Sequence, residues 1–125
     1  MIGSDTKVFR KDTIIFESGN DVTEIYYIVK GMVRFSSETT TGYRMVNMLE
    51  AGDFLGDTSL FTDDGQTLAY FGSALAVEDT VCDVIPIEVF RAQIKAAPKL
   101  IQLWMYNTVD RAVRTIVSSQ SEETP

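Results

Sequence analysis

The sequence predicts a mainly β domain closed by helices at its C-terminal end, and two observations lead there. From Thr6 to Ile87, short runs of β-branched and aromatic residues alternate with clusters of Gly, Asp, Asn and Thr, the rhythm of a small antiparallel barrel or sandwich. After Ile87 the apolar period lengthens from that of a strand to that of a helix, and Pro86 and Pro98 each stand just before a helical run. A chain of 125 residues, 45% of them hydrophobic, suffices for one domain around one core.

The strands follow in order. Ile14-Ile15-Phe16 ends at Glu17-Ser18-Gly19-Asn20-Asp21, where Gly19 and Asn20 reverse the chain at low steric cost. Ile25-Tyr26-Tyr27-Ile28-Val29 runs into Lys30-Gly31 and then Met32-Val33-Arg34-Phe35-Ser36, which reads as a hairpin with Gly31 in its turn. A Thr-rich stretch from Ser37 to Gly42 is expected to be an exposed loop. The strand from Arg44 to Leu49 follows, and Glu50-Ala51-Gly52-Asp53 turns the chain again. Cys82, the lone cysteine, lies in the apolar run Thr80 to Ile85, where it is expected to be a buried strand residue in a reducing compartment.

Two helices complete the chain. The first, about Glu88 to Ala96, places Val89, Phe90 and Ile94 on one side. The second, about Lys99 to Ser118, is expected to be about 30 Å long and to outreach a small barrel. Its stripe is Leu100, Ile101, Trp104, Met105, Val109, Ala112, Val113 and Ile116, wider than one docking face requires. Met105, Val109, Ala112 and Ile116 follow the four-three-four spacing of a coiled-coil seam, and with Ile101 they are the expected homodimer contacts. The polar run after Ser118 reads as a tail or linker. The expected organisation is therefore a sensor domain over residues 1–118 (roll about 6–87, helices about 88–96 and 99–118) followed by a tail over 119–125.

Charge and composition restrict the function. A net charge of −7 opposes contact with a phosphate backbone, so the chain alone is not expected to bind DNA. The sequence contains no histidine, which removes the commonest general base and transition-metal ligand together. One cysteine cannot supply a cluster of thiolate ligands. Asp53, Asp57, Asp63 and Asp64 sit in Gly-Asp and Asp-Asp-Gly pairs that read as turns rather than as a metal site. No nucleophile is paired with a base, so no enzyme, metal or other cofactor is expected. Nor does any apolar run reach the roughly 18 to 20 residues of a membrane helix, and a cytoplasmic location is expected.

Several segments, in order, resemble the cyclic-nucleotide-binding domain of the catabolite-activator/FNR (Crp/Fnr) family of bacterial transcription regulators. They are Ile25 to Arg34, Gly52-Asp53-Phe54-Leu55-Gly56-Asp57, Leu60-Phe61, Cys82 to Pro86, Phe90 and Pro98-Lys99-Leu100. The resemblance covers nearly the whole chain. It implies a double-stranded β-helix, the jelly-roll or β-roll of that family, followed by a long dimerisation helix. It also implies a phosphate-binding cassette, in which a Gly-Glu pair opens a short helix and an Arg-Ser pair clamps the cyclic phosphate.

The cassette departs from the family pattern. Gly56 matches the glycine, but Asp57 replaces the glutamate and is one methylene shorter. Ungapped matching of Ser73-Ala74 through Cys82-Asp83-Val84 puts Gly72 where the family has its phosphate arginine, and no Lys or Arg lies between Phe61 and Gly72. On the long helix, the family's purine-touching hydroxyl falls on Thr115. The ligand contacts expected from the resemblance are Gly56, Asp57, Thr58, Ser73 and Thr115. The function it implies is an effector-sensing and dimerisation domain for which ordinary cyclic nucleotides are poor effectors and a different small molecule, or none, does the switching. DNA contact would come from a helix-turn-helix following Pro125. The alternatives are a constitutive dimer scaffold, or a cyclic-nucleotide receptor whose arginine has moved, for example to Arg44 or Arg111.

Overall fold

The computed structural model describes residues 5–38, 42, 44–57 and 69–122, with the side chains of 38, 110 and 112–122 outside that description. Its strands form two four-stranded sheets. Strands β1 (Asp5–Phe9), β2 (Ile14–Phe16), β3 (Glu24–Lys30), β4 (Met32–Glu38), β5 (Arg44–Glu50), β6 (Phe54–Leu55), β7 (Ser73–Ala76) and β8 (Thr80–Pro86) precede helices α1 (Ile87–Ala96) and α2 (Lys99–Glu122). One sheet has the order β1-β8-β3-β6, the other β2-β7-β4-β5, and every pairing is antiparallel.

The mainly β class follows the expectation from sequence, but β1, β6 and β7 were not singled out there, β4 runs to Glu38 through Ser37, which was expected in an exposed loop and is buried, and the expected pairing of β3 with β4 is not found. β3 pairs with β6 and β8, whereas β4 pairs with β5 and β7, so the two strands lie in opposite sheets. The reason is geometric. Only Gly31 separates them, too few residues for the usual two-residue hairpin turn, and at φ 111° it turns a corner from one sheet to the other. A Cβ on Gly31 would stand 2.6 Å from the Thr80 Cα and 2.7 Å from the Asp79 carbonyl oxygen, so the corner packs backbone against backbone.

The core fills the space between the sheets. Ile25, Ile28, Cys82 and Val84 from the first sheet meet Val33 and Ala74 from the second, all at most 2% exposed. Alternation along the strands produces this arrangement: Ile25 turns inward while Glu24 does not, and Val33 turns inward while Arg34 faces solvent. An aromatic group closes one end of the core, with Phe16 stacked on Tyr70 at 3.9 Å and Tyr26 on the other side of Phe16 at 6.2 Å. Cys82 is buried as expected, and burial, aided by neighbouring Asp83, pushes its thiol up to about 11.

α1 begins one residue earlier than expected, and α2 runs on to Glu122 rather than stopping at Ser118. The elbow between them is tied by the Gln102 side-chain amide, which donates to the Ala97 carbonyl at 2.7 Å and the Lys95 carbonyl at 3.2 Å. Among the described residues, no helix is long and apolar enough to cross a membrane.

Candidate functional site

The segment Gly52 to Asp57 is placed by backbone bonds to β3. The Gly52 amide donates to the Ile28 carbonyl and the Ile28 amide to the Asp53 carbonyl, both at 2.9 Å, and the Asp53 carboxylate accepts the Glu50 amide at 2.9 Å. β6 then pairs Leu55 with Tyr26 and Phe54 with Tyr27. At Gly56 the chain leaves the sheet with φ 86°, passing under the Tyr70 ring. That ring is pinned: its hydroxyl donates to the Glu24 carbonyl at 2.6 Å, its amide to the Asn20 carbonyl at 3.0 Å, and its carbonyl accepts the Gly19 amide at 2.8 Å. Burial raises the Tyr70 phenol above its ordinary value.

Gly56 and Asp57 line a cavity of about 160 Å³ in the open end of the roll. Phe35 on β4, Asn47 and Leu49 on β5, Phe54 and Leu55 on β6, and Phe71 form the rest of the wall. Among the described residues, Asp57 is the only charged one in that wall, and no lysine or arginine contributes to it. The composition of the sequence reinforces this, since no Lys or Arg occurs between Arg44 and Arg91. Gly72 lies beside the cavity. A Cβ there would run into the tip of the Phe35 ring and stand 2.7 Å from the Ser36 carbonyl oxygen, so the space a side chain at 72 would enter already holds Phe35. Phe35 is held there by Phe71, edge to face at 5.4 Å.

The structure brings together some of the residues expected to touch a ligand and separates others. Gly56 and Asp57 share the cavity. Ser73 is absent from its wall and instead accepts the Ser18 amide on its hydroxyl at 2.9 Å. Thr58 lies outside the described residues, as does the side chain of Thr115, whose backbone belongs to α2. Arg44 and Arg111, the alternative cations, are both exposed, and neither lines the cavity. Sequence reasoning did not single out Phe35, Asn47 or Phe71. The signal for Asn47 was its polar side chain at an inward position of β5, between Met45 and Leu49.

A second cavity of about 510 Å³ lies where the helices meet the roll. Phe54 and Ile85 form its floor, Val89, Phe90 and Ile94 come from α1 as one face, and Ile101 and Met105 come from α2. Two residues of the expected dimer seam, Ile101 and Met105, thus line this cavity, Ile101 at 44% exposed. Val109 is half-buried, and the side chains of Ala112 and Ile116 fall outside the described residues. Leu100, Leu103 and Trp104, on the other side of α2, are 74%, 58% and 63% exposed.

Comparison with known proteins gives a consistent picture. Residues 6–97 match the family model of the cyclic nucleotide-binding domain. Over 94 residues the chain is 35% identical to the cAMP-activated global transcriptional regulator CRP of Haemophilus influenzae. That stretch is 73% of this chain but 39% of the relative, so the chain spans about two fifths of that curated relative's length. The structure of the EAL enzyme Bd1971, bound to cAMP and cyclic-di-GMP, matches with a TM-score of 0.76 and 25% identity over 92% of this chain and 30% of that one. The catabolite activator protein of Thermus thermophilus matches with a TM-score of 0.67 and 22% identity over 95% of this chain and 53% of that one, a likeness of fold.

Proposed function

We propose that this chain, which belongs to the cyclic nucleotide-binding domain family, is the ligand-sensing and pairing domain of a Crp/Fnr-type transcription regulator whose roll cavity does not accept a cyclic phosphate. The observation that carries the second half is the wall of that cavity, which among the described residues contains the Asp57 carboxylate and no cation. A buried phosphate must have its charge met, and an unpaired ion costs several kcal/mol. Losing a desolvated cation–phosphate contact costs about 2–5 kcal/mol, or roughly thirtyfold to several thousandfold in affinity.

In this reading the effector is small and uncharged. It meets Gly56 and Asp57 first, with Thr58, Ser73 and Thr115 as further contacts, Ser73 through its O–H while its oxygen accepts the Ser18 amide. Pairing of two chains through α2 carries the signal, and a helix-turn-helix in a longer protein reads DNA. The role is regulatory rather than catalytic, as for the Haemophilus relative described as a transcriptional regulator.

Thermal unfolding with cyclic AMP, cyclic GMP and a panel of small neutral metabolites tests the reading. A ligand at a hundred times its Kd adds about 2.7 kcal/mol of stability. The expected result is no shift with either nucleotide and a rise with a neutral compound. A nucleotide-dependent rise would refute the altered cassette, and a panel with no rise at all would favour a constitutive scaffold.

A further inference from the structure

We propose that the cavity between the helices and the roll is a binding site for a small uncharged molecule, largely aromatic or aliphatic, with one hydrogen-bonding group. Its volume of about 510 Å³ falls within the range of about 300–1,000 Å³ typical of small-molecule sites. Three elements wall it: the floor of the roll, α1 and α2. Of the nine described residues that line it, eight are apolar and Gln93 is the polar one. The single amide side chain sets the one polar group the ligand can use, accepting or donating one hydrogen bond at the rim. Among the described residues no charged side chain lines the cavity, and an ion placed against them would lose hydration with nothing to replace it. Met105, unbranched and polarisable, lets the wall adjust to ligands of different outline.

The occupant is a small molecule rather than a helix from a second copy. Ile101 and Met105 stand one turn apart and line the cavity, Ile101 at 44% exposed, whereas Leu100 and Trp104, also one turn apart, lie outside it and are 74% and 63% exposed. Among the described residues, the most exposed apolar side chains of α2 are therefore Leu100, Leu103 and Trp104, outside the cavity. Phe54 belongs to the walls of both cavities and touches the α1 residue Phe90 edge to face at 6.1 Å. A molecule held between the helices therefore rests on the partition that bounds the roll cavity. The proposal does not depend on what the roll cavity accepts.

N-phenyl-1-naphthylamine, an uncharged fluorophore with one N–H, is a suitable probe. Titrated against the chain, it should show a saturable rise in fluorescence with one site per chain. Ile94→Trp and, separately, Met105→Trp fill the cavity from either helix and should each weaken binding at least about tenfold, with circular dichroism confirming that the fold persists. Leu103→Lys, on the exposed face, should leave the titration unchanged. The proposal is overturned by the lack of a saturable signal, by binding that survives both filling variants, or by loss of binding in Leu103→Lys. It is equally overturned if the signal disappears in step with dimer formation as chain concentration rises, since a second copy would then hold the cavity.

Discussion

The ring of Phe35 occupies the space where a side chain at residue 72 would begin, and Gly72 is what permits it. A Cβ on Gly72 would meet the ring tip, with Phe35 Cε2 at 2.8 Å and the Ser36 carbonyl oxygen at 2.7 Å. Two changes are therefore coupled: a position that the family resemblance assigns to a cation carries no side chain, and a phenyl ring from the neighbouring strand has filled the room. Gly72 sits between the cavity wall at Phe71 and the start of β7, so whatever replaces it must displace either Phe35 or the strand.

Gly72→Ala should lower stability by about 1–3 kcal/mol, the usual cost of forcing a methyl group into a filled space. Phe35→Ala removes the obstacle, so the double variant should lose less than the sum of the two single losses, a coupling that contacting residues show and distant ones do not. Urea unfolding of the four proteins measures it. Strict additivity would mean that the ring does not obstruct residue 72.

Gly56 and Tyr70 form a second dependent pair at the mouth of the cavity. A Cβ at Gly56 would stand 2.8 Å from Tyr70 Cε1, and the backbone there has φ 86°. Gly56→Ala should cost about 1–3 kcal/mol through the unfavourable backbone region and the displaced ring. Tyr70→Phe should cost about 1 kcal/mol by leaving the Glu24 carbonyl without its phenol donor. If Gly56→Ala unfolds at the parent's denaturant midpoint, the ring is not fixed in the way its hydrogen bonds imply.

Alkaline pH should weaken the fold through Cys82. Burial raises its thiol from the ordinary 9.0 to about 11, with Asp83 contributing. The folded chain thus keeps a proton that the unfolded chain releases, so this contribution is complete below pH 9 and is lost as the pH rises to about 11. Burial, followed by Glu24, also raises the Tyr26 phenol and extends the loss upward. The melting temperature should fall across this window, and less steeply in Cys82→Ala. Identical slopes in the two proteins would exclude the thiol as a cause.

Pairing through α2 predicts that assembly depends on Trp104, which is 63% exposed on the face turned away from the roll. Trp104→Glu should raise the dimer dissociation constant at least about tenfold in sedimentation, with the melting temperature of the roll retained. Unchanged assembly would place the pairing surface elsewhere, with the seam continued by Val109, Ala112 and Ile116 the next to test by Val109→Glu with Ile116→Glu.

Strands and helices were legible from the sequence because each rests on local chemistry: alternation for β3 and β5, and the lengthened period after Pro86 and Pro98 for α1 and α2. Partnership was less so. Gly31 looked like a hairpin turn, because a glycine between two apolar runs looks alike whether the chain folds back or crosses to the opposite sheet. The cavity was half visible. Gly56 and Asp57 lie in a contiguous motif and were found, whereas Phe35 and Asn47 enter only when β4 and β5 are set facing the other sheet, a relation between distant segments. Ser73 shows the converse: its place in the motif suggested a ligand contact, yet it is absent from the cavity wall and its oxygen accepts the Ser18 amide, 55 positions away.

Isothermal titration of the chain with cyclic AMP and with cyclic GMP tests the central claim most directly, namely that a cavity bounded by Asp57, Asn47 and three phenylalanine rings offers no counter-charge to a cyclic phosphate. The expected result is no saturable heat at micromolar nucleotide, since loss of the cation contact weakens a micromolar site by roughly thirtyfold to several thousandfold. Saturable micromolar binding of either nucleotide, abolished by Asp57→Ala, would contradict it.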